Sequence, residues 1–325
     1  MSKSEGIADL SYQHYTGELG SHKRSWRVIA YSTATKAMKN KWFWIITCLT
    51  GWFYLFNIAF LYIIQQSMSA AAAGGTGGGM SAFGQQLTKS MIWKDQFLFS
   101  LQTNQMLYMI VALIVGAGSI ANDSRSNALL VYLSKPCTKT DYLIGKWVGV
   151  FIPIFLSMAV PSYFFYLYGA TNYREYGFLS DDYFMILKVT FAMIVGTSFY
   201  TSLIIGFSSI VKRPALASAI LGGLYILTYF FQKLMQILAM IKGGSSAIIG
   251  FAEQASYFSV NGLVSGITKV ILATNGSPVF GGSTRTGPPI IPRPDMFLSW
   301  AMVGGVIFLG IWVAWTRIRA VEVVQ

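Results

Sequence analysis

The side chains that most often perform catalysis are few in this sequence, and their spacing does not suit a reaction centre. The only histidines, His14 and His22, precede the first long apolar stretch, so they cannot form a metal site, a haem site or a Ser–His pair within the membrane. Asp181 and Asp182 are the only adjacent acidic pair, whereas a metal-dependent lipid transferase would need several clustered carboxylates. We therefore do not expect an enzyme.

A glycine-rich stretch, AAAGGTGGG at residues 71–79, could suggest a phosphate-binding loop. Such a loop requires lysine and then serine or threonine directly after the glycines, but Met80 and Ser81 follow here. We interpret the stretch as a flexible linker. With no other nucleotide-binding motif, the chain is expected to bind no cofactor and to hydrolyse no ATP by itself.

The most unusual segment is NDSRSNALLVYLSKPCTKTDYLIGK, residues 122–146, which lies between two apolar stretches and which we call the insert. Only 11% of the chain is charged, yet six charged residues fall here: Asp123, Arg125, Lys135, Lys139, Asp141 and Lys146. Four apolar residues share one helical face: Ala128, Leu129, Tyr132 and Leu133. The helix should end at Lys135, because proline at 136 disfavours helical geometry in the residue before it. An exposed apolar edge of this kind predicts a short helix that docks on a partner protein.

Composition places these residues in a membrane protein. The 325 residues are 54% hydrophobic with a mean hydropathy of +0.52, and a soluble domain would carry about 25% charged residues. Six uncharged runs are long enough to cross a bilayer, and they predict spans at about 42–64, 100–121, 147–170, 189–211, 214–236 and 296–316. Because only helices satisfy their own backbone groups in lipid, we predict an all-α integral membrane fold whose transmembrane domain covers residues 42–316.

The flanking segments complete the predicted architecture. Residues 1–41 form a cytoplasmic tail and an amphipathic elbow helix in the membrane interface, with a solvated basic linker as the alternative. The apolar part of 239–295 predicts two short re-entrant helices on the outer side, because a seventh span would move the basic end of the chain across the membrane. Residues 317–325 form a cytoplasmic C-terminal tail.

The distribution of charge predicts the orientation. Most of the 24 basic residues lie in short segments on the side that carries both termini, as expected for the cytoplasmic face. The net charge of +12 is thus a topology signal, and nucleic acid is not an expected partner. We expect a multi-pass protein of the cell inner (plasma) membrane, of bacterial origin, with both termini cytoplasmic.

Local features of the spans have simple interpretations. Lys146, Lys188 and Lys233 lie at span ends, where long side chains reach the membrane surface. Pro153 and Pro161 in the third span, and Gly116 and Gly118 in the second, could permit kinks. Polar residues of the spans either bond between helices or line a substrate path: Asn57, Thr197, Ser198, Thr201, Ser202, Ser208 and Thr228.

The insert also resembles the ABC-2 type permeases, the transmembrane subunits of ABC transporters. The matching positions are Asp123, Arg125, Leu129, Leu130, Leu133, Ser134, Pro136, Tyr142, Leu143, Gly145 and Lys146. The sequence departs from the family pattern at Asp123, where glutamate is common, and at Asn127-Ala128, where Gly-Thr is common. An elbow helix, six spans and short outer helices between the last two spans are also similar to the family plan.

The resemblance implies a function. The insert would be the coupling helix that docks on a separate ABC ATPase subunit, which would hold ATP and magnesium. The chain would be the permease subunit of an exporter and would pair with a second permease chain, identical or related, among membrane lipids. The implied coupling residues are Asp123, Arg125, Leu129, Leu130, Tyr132, Leu133, Lys135 and Pro136.

Two other classes remain open. One is an ATP-independent secondary carrier or a structural membrane subunit of a larger complex, although no charged side chain lies near the middle of a predicted span, where ion-coupled carriers usually place one. The other is a membrane-embedded enzyme that uses Asp181 or Asp182. The sequence does not select a substrate.

Overall fold

The computed structural model describes residues 25–72, 78–126, 128, 137–180, 182–241, 246–276 and 293–318. Within these residues all regular structure is helical, and six helices are long and apolar enough to cross a membrane. The predicted all-α fold with six spans is therefore confirmed.

The spans run past the predicted apolar stretches. Their bounds are Lys41–Ala72 for span one, Gln105–Gly116 and then Ala121–Arg125 for span two, Lys139–Asn172 for span three, Met185–Ile210 for span four, Pro214–Ile241 for span five and Met296–Arg317 for span six. An uncharged run marks only the part that crosses lipid, whereas helical hydrogen bonding continues into the polar flanks. The start of span two is the exception. The chain turns at Asn104, so the span begins at Gln105, later than the predicted start near residue 100.

Five shorter helices accompany the spans. They are the N-terminal helix Ser25–Met38 and four more that we number in chain order: Gly78–Ser90, Trp93–Thr103, Ser246–Tyr257 and Val260–Leu272. The last two lie between spans five and six, where two short helices were predicted, and their re-entrant position on the outer side stays a prediction. The first two were not predicted, and the linker interpretation is wrong at both ends of 71–79, because the first short helix begins at Gly78 and span one continues to Ala72. Packing against span one, where Gly84 meets Ile64 and Met68, outweighs the weak helix propensity of glycine.

Spans two, three and four form the interior of the bundle. In their most apolar windows 61%, 56% and 72% of residues are buried, against 22%, 17% and 11% in spans one, five and six. Span six joins this core through a close crossing with span four. A Cβ atom on Gly310 would lie only 2.3 Å from the carbonyl oxygen of Ser202, so the two backbones touch there.

The N-terminal helix packs against span three. Gly145 and Gly149 of span three lie beneath Ile29 and Thr33, and a Cβ on Gly149 would approach Thr33 Cβ to 2.6 Å. The face that was predicted to be apolar is thus buried against protein, while Val28 on the opposite face is exposed. That this helix lies in the membrane interface stays a prediction.

The fourth short helix is bound to spans two and five by buried polar groups. Asn261 Nδ2 donates to Gln232 Oε1 over 3.2 Å, and Ser259 Oγ donates to the same oxygen over 2.9 Å. At the start of span two, Gln105 hydrogen-bonds Ser265 at 3.1 Å. Because unsatisfied amides are costly in a membrane domain, this network holds the helix firmly in place.

Candidate functional site: the two ends of the insert

The structure describes both ends of the insert, which contains the predicted coupling site. Asp123 and Arg125 lie in the last turn of span two, and the second end runs from Cys137 into span three. The other predicted coupling residues, Leu129, Leu130, Tyr132, Leu133, Lys135 and Pro136, lie outside the described residues. The geometry of the ends therefore shows how the insert is attached to the bundle.

A buried ion pair joins the two ends. Asp123 Oδ2 lies 2.7 Å from Lys146 Nζ, and the same oxygen accepts a hydrogen bond from the Tyr142 hydroxyl over 2.8 Å. Tyr142 and Lys146 are four residues apart on span three, so they share a face, and the ammonium also lies 5.6 Å from the ring centre. We call these three residues the clasp.

The clasp is shielded from solvent, which makes it strong and costly to break. The side chains of Asp123 and Lys146 are 15% and 9% exposed, and charge-assisted bonds of this length are roughly twice as strong as neutral ones. The interpretation of Lys146 as a surface anchor is therefore wrong. Its ammonium turns inward because span two places a carboxylate beside it.

A second contact joins span two to span four, a few residues before Asp123 of the clasp. The helix breaks between Gly116 and Ala121, and Ser208 of span four bonds the broken backbone. Its Oγ accepts from the N–H groups of Ile120 and Ala121 at 3.1 and 3.0 Å and donates to the carbonyl of Ala117 at 2.8 Å. The helix is thus interrupted next to Gly116 and Gly118, where a kink could be permitted, and span four satisfies backbone groups that the break leaves without helical partners. The long helix of span three, by contrast, continues through both of its prolines.

Span three begins with a capping box. Thr138 Oγ1 accepts from the Asp141 N–H over 3.1 Å, and the Thr138 N–H donates to the Asp141 carboxylate over 3.4 Å. Partial burial and the nearby Asp141 carboxylate raise the pKa of the Cys137 thiol, which keeps it protonated. Lys139 lies 4.8 Å from the ring centre of Trp315 in span six. Three of the six charges of the insert, Asp123, Lys139 and Lys146, therefore bind its ends to other spans of the bundle, and a fourth, Asp141, caps the start of span three.

Arg125 is the other described member of the predicted coupling site, and unlike Asp123 it is exposed to solvent. It lies at the last turn of span two, adjacent to the segment that would meet a partner. Its position leaves the guanidinium accessible from the surface.

The span residues with hydroxyl or amide groups have three kinds of environment. Ser202 and Ser208 bond between helices, Ser202 by accepting from the Trp147 indole over 2.9 Å. Several others donate to a carbonyl of their own helix: Asn57, Ser198 and Thr228. The buried Thr197 hydroxyl meets Met158 Sδ, whereas the Thr201 hydroxyl is buried with no hydrogen-bond partner in the described part of the chain.

Of the acidic pair that an enzyme would use, Asp182 is engaged in ion pairs at the end of the bundle opposite the insert. Asp182 binds Lys188 and lies 4.0 Å from Lys94, while Asp181 lies outside the described residues. The bond from Lys188 lowers the pKa of Asp182, so this carboxylate is ionised at neutral pH. Among the described residues, no group of three or more His, Cys, Asp or Glu side chains is placed to hold a metal ion.

Comparison with known families agrees with this architecture. The fold and the clasp define a six-span helical membrane protein with a segment anchored between spans two and three. Residues 27–281 match the model of the ABC-2 family transporter proteins, and because this match covers most of the chain, the protein belongs to that family. No individual curated protein matches the sequence. Proteins of this family are membrane subunits that work in general with an ABC ATPase.

Sequence reasoning missed the pairing of Asp123 with Lys146. The signal was present, because Tyr142 and Lys146 are spaced for one helical face and an acidic residue lies at the opposite end of the insert. The bond from Ser208 to the broken helix had no comparable signal, since it joins residues about ninety positions apart.

Proposed function

We propose that this protein is the membrane-spanning permease subunit of an ATP-driven ABC transporter, that it works as an exporter, and that a separate ATPase subunit docks on the insert. The observation that carries the proposal is the clasp, which ties both ends of the insert to the core of the bundle. Membership of the ABC-2 family supports the same conclusion.

The clasp gives the insert a mechanical role. A flexible loop would absorb a push from a partner, whereas the ion pair between Asp123 and Lys146 makes the last turn of span two and the first turns of span three move together. The apolar face proposed for ATPase docking, Leu129, Leu130, Tyr132 and Leu133, lies between these two fixed ends. Asp123, Arg125, Lys135 and Pro136 would frame that face.

Movement of the insert would reach span four through the broken part of span two. Gly116 lies against span four so closely that a Cβ there would come within 2.5 Å of the Ile204 side chain. Just below, Ser208 holds the free backbone groups of the break. The ATPase would favour one arrangement of these contacts when ATP is bound and another after hydrolysis, since a ligand shifts a conformational equilibrium only by its different affinity for the two states.

The assembly would contain two permease chains and two ATPase subunits. Spans one, five and six expose large apolar side chains, for example Trp52, Leu227 and Phe308, and these surfaces suit lipid and the second permease chain. ATP and magnesium would bind on the ATPase subunits. The basic side of the bundle, with the insert and both termini, would face the cytoplasm of a bacterial cell across its inner membrane.

The proposal is tested by purifying the tagged protein from its native membranes in mild detergent and identifying what remains bound by mass spectrometry. We expect an ABC ATPase subunit, and we expect Leu133→Asp to remove it, because a charge on the docking face must be desolvated. Phe297→Asp is the matched control, since it places the same charge on an exposed residue at the start of span six, which is the end of that span away from the insert.

The proposal is supported if the unaltered protein and Phe297→Asp retain the ATPase and Leu133→Asp loses it. If no ATPase is retained by the unaltered protein under any gentle condition, the alternatives of an ATP-independent carrier or a structural subunit replace it. If the ATPase binds equally to Leu133→Asp, it docks elsewhere on the protein.

A further inference from the structure

A polar cleft lies beside the clasp, between the N-terminal helix and spans two and three. Its volume is about 290 Å³, and its polar lining is Ser32, Thr33, Lys36, Asn40, Ser119, Asn122, Asp123 and Lys146. We call it the basic cleft. Nothing in the proposed coupling role requires a cavity at this position.

The charges of the cleft do not cancel. Lys146 is neutralised by Asp123 at 2.7 Å, which leaves Lys36 as the excess positive charge. In the described part of the chain no carboxylate forms an ion pair with Lys36, whose side chain is exposed at the mouth of the cleft. The net charge of the lining is therefore +1.

The cleft also contains a buried donor that is not used. Ser119 is 7% exposed, and its hydroxyl has no hydrogen-bond partner among the described residues. A buried hydroxyl without a partner costs free energy, so its presence in a polar cavity points to a ligand that accepts a hydrogen bond. The amides of Asn40 and Asn122 provide further donors.

The apolar part of the lining indicates where the ligand comes from. Apolar side chains line the cleft from two elements, Ile29 from the N-terminal helix and Ile114 and Val115 from span two, at one end of the membrane domain. A soluble anion gains nothing from these apolar side chains, whereas the glycerol and acyl carbons beside a lipid phosphate would pack on them.

We propose that the basic cleft binds the phosphodiester headgroup of an anionic phospholipid, with the phosphate between Lys36 and Lys146 and the Ser119 hydroxyl donating to it. A phosphodiester carries one negative charge, which matches the net +1 of the lining. Free phosphate or a phosphomonoester carries nearly two charges at pH 7 and would leave one in excess beside Asp123. Bound lipid would hold the N-terminal helix against spans two and three.

The test measures thermal unfolding of the full-length protein in a neutral detergent while phosphatidylglycerol is added. Phosphatidylcholine and inorganic phosphate are titrated in parallel. We expect phosphatidylglycerol alone to raise the unfolding temperature in a saturable way. Lys36→Gln should weaken the apparent affinity about fivefold, because one lysine near an anionic lipid surface contributes about 1 kcal/mol.

Lys39→Gln is the matched control, because Lys39 is also exposed at the end of the N-terminal helix but does not line the cleft. It should leave the affinity unchanged, and Ser119→Ala should weaken it without changing the exposed charge. Equal weakening by Lys36→Gln and Lys39→Gln would overturn the proposal in favour of general surface attraction. A shift produced equally by phosphatidylcholine, or by inorganic phosphate alone, would also overturn it. The outcome is independent of whether an ATPase docks on the insert.

Discussion

Asp123 and Lys146 stand at opposite ends of a 25-residue insert, yet their charged atoms lie 2.7 Å apart inside the protein. This ion pair holds the two ends of the insert together, so the insert is not attached to the bundle as a freely moving charged loop. The hydroxyl of Tyr142 adds a third group to the same contact.

Removal of one partner of the clasp should destabilise the protein more than removal of both. Asp123→Asn leaves the Lys146 ammonium buried without its counter-charge, and breaking a buried pair in this way costs about 3 kcal/mol or more. The double variant Asp123→Asn, Lys146→Met removes both charges and should recover most of the loss. Thermal unfolding in detergent is measured for Asp123→Asn, for Lys146→Met and for the double variant. If the effects of the two single variants add up to that of the double variant, the two residues do not interact directly.

Ser208→Ala should weaken the joint between span four and the broken part of span two. The substitution leaves the N–H groups of Ile120 and Ala121 without their acceptor, which costs about 1–3 kcal/mol for a buried group. Ser198→Ala is the control, because that exposed hydroxyl bonds only to its own helix. If both variants unfold at the same temperature as the unaltered protein, Ser208 does not hold the break.

Gly310→Ala should separate spans four and six. The new methyl group would lie 2.3 Å from the backbone oxygen of Ser202, which cannot move as a side chain could, and overpacking of this kind costs about 1–3 kcal/mol. Gly304→Ala on the same helix meets nothing within 4 Å and should be neutral or slightly stabilising. Comparison of their unfolding temperatures checks the crossing, and equal values would show that the spans do not touch at Gly310.

Stability should depend on pH through Asp182. Its folded-state pKa is lowered chiefly by the hydrogen bond from Lys188, below an unfolded value of about 3.9. The stabilising contribution is therefore fully present above the unfolded pKa and is lost as the pH falls through the folded pKa.

The unfolding temperature of Asp182→Asn should accordingly lie below that of the unaltered protein at pH 6, and the gap should narrow as the pH falls below 4. Glu175→Gln removes a carboxylate from the same loop and controls for general charge effects. A gap for Asp182→Asn that stays constant from pH 6 to pH 3 would mean that its bond to Lys188 does not form.

The sequence was sufficient for the spans because uncharged runs of about 20 residues have few other structures in a membrane. It was insufficient where helices meet. Glycines at 145 and 149 predict only that something approaches span three, and the partner is the N-terminal helix. Likewise, residues 71–79 looked like a linker because the stabilising contact of the first short helix with Ile64 lies outside that stretch.

The candidate site was predictable in location but not in geometry. Charge density and the motif around Leu133 indicated the insert, whereas its attachment depends on distances between residues of different spans. Lys146 was misread because a lysine at a span end usually reaches water, and only the fold reveals the carboxylate that draws it inward.

The most direct measurement of the central claim is a photo-crosslink from the docking face. A photoreactive amino acid replaces Leu133 in the full-length protein, native membranes are irradiated, and the adducts are identified by mass spectrometry, with the same amino acid at the exposed Phe297 as a control. Coupling through the insert predicts an adduct between position 133 and an ABC ATPase subunit, and none from position 297. An adduct only with lipid or with an unrelated protein, in membranes where the ATPase is present, would contradict it.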